Sequence, residues 1–319
     1  MNPIENITPK DDAFHGIKKR ISLEWWYFDA VFEDGHSIHI GIKLILFGKT
    51  GIVRQLVDFY KGSKLIKKSY TTHFLNKYNI SKEYPDIKYK DIQILKFDYK
   101  KYKSTGIWEY VVKVDVGKLK TNLKFTGKTK GFKYISSHEG WTVAQPKAEV
   151  KGSISVDGNN IELKGSGYHD HNWNFSWTTA LRGKGWYWGK VSSKNYTLTW
   201  ARIMKTFLAN KTTPEKISIL NQINKNYISI KPKNVIFNAD KNEFNQGRFI
   251  PTLFTLKIKQ DEIEIDLKFD KLSVKRSPPK FFTVHYYRYL VRVNGYIKIG
   301  KNVDLLKDDL EIIEFIRFV

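Results

Sequence analysis

The chain has 319 residues, 41% hydrophobic and 15% aromatic, which is enough apolar material for real cores and, at roughly 150 residues per domain, for about two of them. It contains no cysteine, so disulfides and thiolate chemistry are excluded and the redox compartment stays open. The formal net charge of +23 invites nucleic acid or an anionic membrane. Along Lys118–Lys133, however, the lysines alternate with Leu119, Leu123, Phe125 and Phe132, the pattern of strands with one wet face, so nucleic acid is rejected as a partner and weak attraction to an anionic membrane surface is kept.

Residues 1–20 read as a polar N-terminal leader ending in Lys18, Lys19 and Arg20. They carry no apolar signal region, and the most apolar run, Ile38–Phe47, is interrupted by Lys43 and too short to cross a bilayer as a helix. These features point to a cytoplasmic protein, at most peripheral to the membrane. Two long apolar segments follow over Ile21–Phe47, joined at Asp34-Gly35, a strong hairpin signal. Further short strands lead to Lys147–Trp173, with a second hairpin at Asp157-Gly158. The style then repeats: GWYWGKV and YTLTWARI flank Ser192–Asn195, more strands follow, and VHYYRYLVRVNGYIKI reads as a hairpin turning at Asn294-Gly295. Only Thr213–Asn224 and Lys301–Leu310 leave room for short helices. The chain is therefore all-β, with two successive antiparallel barrels or sandwiches over residues 21–176 and 177–319.

Several familiar motifs fail. Gly295–Lys301 nearly spells a phosphate-binding loop, but Asn302 replaces the required Ser or Thr, and Ser166 lies in no GxSxG elbow. The dense stretch is Gly165–Asn174, GSGYHDHNWN. As a strand it sends Tyr168, Asp170 and Asn172 to one face and His169, His171 and Trp173 to the other. His169 and His171 could chelate a metal with a third ligand from His39, His138 or Glu24, but no spacing selects one, and a hydrogen-bonded neutral pair explains the same letters; neither a metal nor another cofactor is assigned.

What remains is an acid among aromatics. Trp141 and the Trp25-Trp26-Tyr27 run lie on other strands and can converge with Asp170 on a barrel interior. Desolvation there would favour the neutral acid. Raised by about three units from its reference of ~3.9, Asp170 would be a usable general acid, with Trp141 or Tyr168 supporting a carbocation. The competing reading is that Asp170 caps a turn and bonds His171 or Tyr168 for rigidity.

The segments EWWYFDA (Glu24–Ala30), GSGYHDHNW (Gly165–Trp173), WYWGKV (Trp186–Val191) and YYRYLVRVNG (Tyr286–Gly295) resemble the carotenoid 1,2-hydratase (hydroxyneurosporene synthase) group of tandem lipocalin-like proteins, to which kievitone hydratase and fungal lipocalin-like Diels-Alderases are related. The resemblance implies two successive lipocalin-like β-barrels with the pocket around the YxDHN segment. Asp170 would be the proton donor, Tyr168 and Trp141 the cation stabilisers, and His171 and Asn172 their orienters. Trp25, Trp26, Tyr27, Trp173, Trp186 and Trp188 would line the substrate. This chain departs from the hydratase pattern at Asn174, where glycine usually follows the tryptophan, and at His169, where a hydrophobic residue is common, so the carotenoid substrate does not carry over. The expected function is cofactor-independent hydration or isomerisation of a C=C bond in an apolar, isoprenoid-like molecule. The alternatives are a lipocalin-type carrier and a pericyclase or cyclase. The oligomeric state is not legible in the sequence.

Overall fold

The computed structural model describes residues 4–16, 20–135, 139–206, 215–245, 248–277 and 284–318. The chain separates into two units, Met1–Trp177 and Thr178–Val319.

The first unit contains strands β1 (Ile4–Glu5), β2 (Ile21–Phe32), β3 (His36–Phe47), β4 (Thr50–Lys61), β5 (Lys64–Phe74), β6 (Tyr78–Ile80), β7 (Asp86–Tyr89), β8 (Ile92–Phe97), β9 (Glu109–Val112), β10 (Leu119–Gly127), β11 (Phe132–Ile135), β12 (Gly140–Val156) and β13 (Asn159–Phe175). They form one sheet in the order β5-β4-β3-β2-β13-β12-β10-β9-β8-β7-β6, with β11 attached to β12 and β1 to β11. The sheet curls until its edges meet through side chains: His73 on β5 stacks on Tyr89 of β7 at 4.5 Å, and Gln55 Nε2 on β4 donates to the Tyr78 hydroxyl of β6 at 2.9 Å. One face of each long strand fills the enclosed core. Trp26, Phe28, Ala30 and Phe32 on β2 meet Ile38, Ile40, Ile42 and Leu44 on β3 and Leu123, Phe125 and Val150 from the far side. On β10, Leu119, Leu123 and Phe125 point in while Lys120 and Lys124 point out, as the lysine alternation predicts.

The second unit contains β14 (Gly183–Ser192), β15 (Tyr196–Lys205), β16 (Lys216–Gln222), β17 (Tyr227–Ser229), β18 (Val235–Asn245), β19 (Arg248–Gln260), β20 (Ile263–Ser277), β21 (Val284–Ile299) and β22 (Asn302–Phe318). Their order is β17-β16-β15-β14-β22-β21-β20-β19-β18, and this sheet also curls, since Lys216 Nζ on β16 donates to the Val235 carbonyl of β18 at 2.5 Å. Trp200, Tyr287, Tyr289, Phe254 and Phe269 are buried in its core.

Asp34-Gly35 and Asp157-Gly158 form the tight turns the sequence announces. Asn294-Gly295 does not: it lies inside β21 as a bulge, with Gly295 at φ 138° pressed so close to Asp266 that a Cβ would meet its carbonyl oxygen. The two segments left open for helices are strands, Lys216–Gln222 and Asn302–Phe318, with residues 213 and 214 outside the description. Among the described residues the α-helices are instead α1 (Tyr99–Thr105), capped by Asp98 and closed by Gly106 in the left-handed region, and α2 (Trp177–Arg182). Within the stretch read as a polar leader, Ile4–Gly16 is part of the first unit: Pro9–Asp12 forms a 3-10 turn and Asp12 is fully buried. Lys18 and Lys19 lie outside the described residues. Among those described, no helix is long and apolar enough to cross a membrane.

Candidate functional site

The strand β13 has two buried faces, and they carry different chemistry. Register fixes which residues join each face: Tyr168 pairs with Asp29, Asp170 with Tyr27 and Asn172 with Trp25 on β2, while on β12 Trp141 is opposite Asn172 and Val143 opposite Asp170. Trp25, Tyr27, Asp29, Trp141, Tyr168, Asp170 and Asn172 therefore share one face. That face points away from the apolar core, contrary to the expectation of an acid in the barrel interior, because the core is met by Trp26 and Phe28 and so, across the register, by His171 and His169.

On the outward face Asp170 is 5% exposed and its carboxylate is held by three donors. Trp141 Nε1 donates to Oδ2 at 2.8 Å, the Tyr168 hydroxyl donates to the same oxygen at 2.8 Å, and Asn172 Nδ2 donates to Oδ1 at 3.0 Å. Burial favours the neutral acid, whereas hydrogen bonds donated into a carboxylate favour the anion, so the two influences on Asp170 act in opposite directions. The Tyr27 ring meets that of Tyr168 edge-on at 6.2 Å and its hydroxyl donates to Asp29 Oδ2 at 3.0 Å. Trp25 packs on Phe175 at 4.8 Å, with the Lys43 ammonium 5.6 Å from its ring. Burial, and then the charge of Arg54, holds Lys43 below the usual lysine range. Asn174, the departure from the family glycine, has φ 63°, in the left-handed region that asparagine tolerates.

The inward face holds a second polar group, in which His169, His171 and Glu24 are joined by an aspartate that the sequence reading did not place there. Asp12 reaches in from the 3-10 turn, and its Oδ2 accepts from the Tyr110 hydroxyl at 2.6 Å and lies 3.0 Å from His169 Nε2. The other ring nitrogen, His169 Nδ1, lies 2.9 Å from the Tyr27 carbonyl. His171 Nε2 lies 3.0 Å from Glu24 Oε1, and its Nδ1 is 3.5 Å from Asp12 Oδ1. Burial, offset by Asp12 and reinforced by His169, holds His171 down at about 3, so it is neutral at physiological pH. Its ring stacks on Trp26 at 4.3 Å, and Trp173 stacks on His15 at 3.8 Å. Burial, then the charge and hydrogen bond of Asp12, pushes the Tyr110 phenol well above its ordinary range.

Of the residues read from the sequence, Trp141, Tyr168, Asp170 and Asn172 thus meet in one hydrogen-bonded group, with Trp25 and Tyr27 on the same face. Trp26, His171 and Trp173 lie behind the strand, in the Asp12 network. Trp186 and Trp188 belong to the second unit, on the face of β14 opposite its core, where Trp186 meets Phe318 edge-on at 5.5 Å. Glu24 approaches His171 as a hydrogen-bond acceptor; His39 lies on the outward face 3.5 Å from Asp58, and His138 falls outside the described residues. Among the described residues, no three His, Asp or Glu side chains are arranged to hold a metal ion. Asp12 was missed because PKDD looks like solvated turn; the one available signal was Thr8-Pro9 with Asp11, whose carboxylate caps the Thr8 amide at 2.7 Å and marks a turn start.

No family model and no curated protein matches the sequence. Solved structures do match over nearly the whole chain. An AttH-type protein from Nitrosomonas europaea superposes with a TM-score of 0.66 at 12% identity, covering 99% of this chain and 98% of its own. CghA with Sch210972 gives 0.61 at 9% identity, over 94% and 89%. Kievitone hydratase from Nectria haematococca gives 0.57 at 11% identity, over 93% and 88%. The fold is shared. Two successive lipocalin-like β-barrels are common to this chain and to a hydratase, and at such identities the likeness extends to architecture alone.

Proposed function

We propose that the chain is a cofactor-independent enzyme that moves a proton at a C=C bond of an apolar small molecule, with Asp170 as the reacting group. The observation carrying this reading is the buried Asp170 carboxylate with its three fixed donors, Trp141, Tyr168 and Asn172, on a face lined by Trp25 and Tyr27. With those donors in place the reading takes the ionised carboxylate, a base, as the starting form, as an alternative to the acid-first order read from the sequence. It takes a proton from a carbon next to the double bond, or from the water that adds to it. The resulting acid returns that proton to a second carbon, so the enzyme ends unchanged. Starting with a base requires an activated substrate, such as an alkene conjugated to a carbonyl. Tyr168 and Trp141 then hold the carboxylate's orientation through both half-reactions. The fold shared with kievitone hydratase and with CghA supports chemistry on an apolar substrate, here placed on the face of β13 that points away from the core.

The test is to extract lipophiles that accompany the purified protein and return them to it in deuterated water. Deuterium incorporated at carbon, or addition of water, by the native protein and lost in Asp170→Asn supports the reading. Turnover unaffected by Asp170→Asn favours a cyclase that works by pocket shape, and a ligand recovered unaltered favours a carrier.

A further inference from the structure

The Asp12 network stands directly behind the Asp170 group, separated from it only by the strand that carries both. We infer that Asp12 and His169 form a buried ion pair and that Asp12 is a positioning residue for the site on the opposite face; the site's role rests on the function proposed above. Both ring nitrogens of His169 face acceptors, the Tyr27 carbonyl at 2.9 Å and Asp12 Oδ2 at 3.0 Å, so both carry hydrogens and the ring is the imidazolium. Asp12 supplies the charge that a fully buried cation needs.

The pair sits where three strands of the site are joined. His169 holds Tyr27, whose Cα is opposite Asp170. The Asp12 carbonyl accepts from Trp26 Nε1 at 2.9 Å, fixing β2 next to Trp25 and Tyr27. The Asp11 carbonyl accepts from Thr142 Oγ1 at 2.9 Å, fixing β12 next to Trp141. Lys133 Nζ, 2.9 Å from Asp11 Oδ1, anchors the turn from β11. One short turn thereby sets the mutual placement of the strands that bring Trp141, Tyr27 and Asp170 together. Apolar residues would fill the same space, but they would offer no directional bond to the Tyr27 carbonyl.

The experiment is 15N and 1H NMR of the full chain. In the native protein the His169 ring is expected to show two protonated nitrogens at pH 7. In Asp12→Asn the ring becomes neutral and the Trp141 indole N–H resonance, identified by its loss in Trp141→Phe, moves upfield as its bond to Asp170 loosens. With a substrate in hand, kcat falls by up to about a hundredfold while KM stays near the native value. A neutral His169 in the native protein overturns the ion pair, and an unmoved Trp141 resonance in folded Asp12→Asn overturns the positioning role. If Asp12→Asn does not fold, His169→Gln, which keeps donors of similar reach without the charge, is read the same way; if neither folds, the native His169 spectrum decides. The spectra need no turnover, so failure here is distinct from failure of the proposed reaction.

Discussion

Acidification should act on the first unit through His171. The folded ring is held near 3, and an unfolded histidine titrates near 6.5, so below pH 6.5 the unfolded chain gains a proton that the folded chain refuses. The contribution is therefore complete above pH 6.5 and is lost as pH falls towards 3. At about 1.4 kcal/mol per pH unit over about 3.5 units, the full loss is about 5 kcal/mol, a large part of the ~5–15 kcal/mol that holds a domain together. Between pH 7.5 and 5.5, above the range where ordinary carboxylates titrate, the loss expected from His171 is about 1 kcal/mol. The assay is urea unfolding followed by tryptophan fluorescence at both pH values, for the native chain and for His171→Gln. The variant should be less stable at pH 7.5, since it breaks the stack on Trp26 and the bond to Glu24, but should lack this extra loss at pH 5.5. Taking the difference between the proteins cancels His285 of the second unit, which burial also depresses. An equal loss in both proteins would refute the assignment of a neutral, buried His171.

Gly140→Ala should cost about 1–3 kcal/mol in the same unfolding assay, because its Cβ would fall 2.0 Å from the Trp173 ring and push that ring off His15. In the second unit, Asp304 accepts from Ser193 Oγ, Asn195 N and Asn195 Nδ2 at 2.6, 2.7 and 2.7 Å. Burial works to raise its carboxyl, but these bonds outweigh it and leave the group below its usual value; its stabilisation is present above pH ~3.8 and lost on further acidification. Asp304→Ala should lower the denaturation midpoint by an equivalent of about 1–3 kcal/mol at pH 7 and remove that acid-sensitive increment. Flotation with vesicles containing phosphatidylserine should carry the protein upward at low salt and release it at high salt. Serine at Phe244 and Phe249, which are 67% and 73% exposed on adjacent strands and in mutual contact, should weaken that binding; unchanged flotation would exclude this hairpin as the contact.

The strand pattern was legible because alternation is a local property: β10 displays it residue by residue. The split of Tyr168–Trp173 into two faces followed from the same period of two, and it correctly grouped Tyr168 with Asp170 and Asn172. Which face is inside was not legible, since both are buried and polar letters lie on each; the answer comes from Trp26 and Phe28 across the register, a long-range fact. Asp12 was hidden for a related reason. Its burial depends on Tyr110 and His169, which are 98 and 157 residues away, and no local window contains them. Asn294-Gly295 misled because the left-handed geometry that suits a hairpin also suits a bulge, and only the partner strands distinguish the two.

The irregular pairing of β12 carries a last consequence. Val143 is opposite Asp170, Gln145 opposite His169 and Ala148 opposite Gly167, so β12 spends one extra residue at each of two places while β13 advances without interruption. Each extra residue reverses the alternation of β12 once: Val143 and Gln145 are two apart in the chain, yet one faces outward beside Asp170 and the other inward beside His169. Partnership with β13, rather than position along β12, therefore decides on which side each residue emerges, and Trp141 shares the side of Asp170 because it lies opposite Asn172. One strand with two such irregularities thus feeds both chemistries that β13 holds apart.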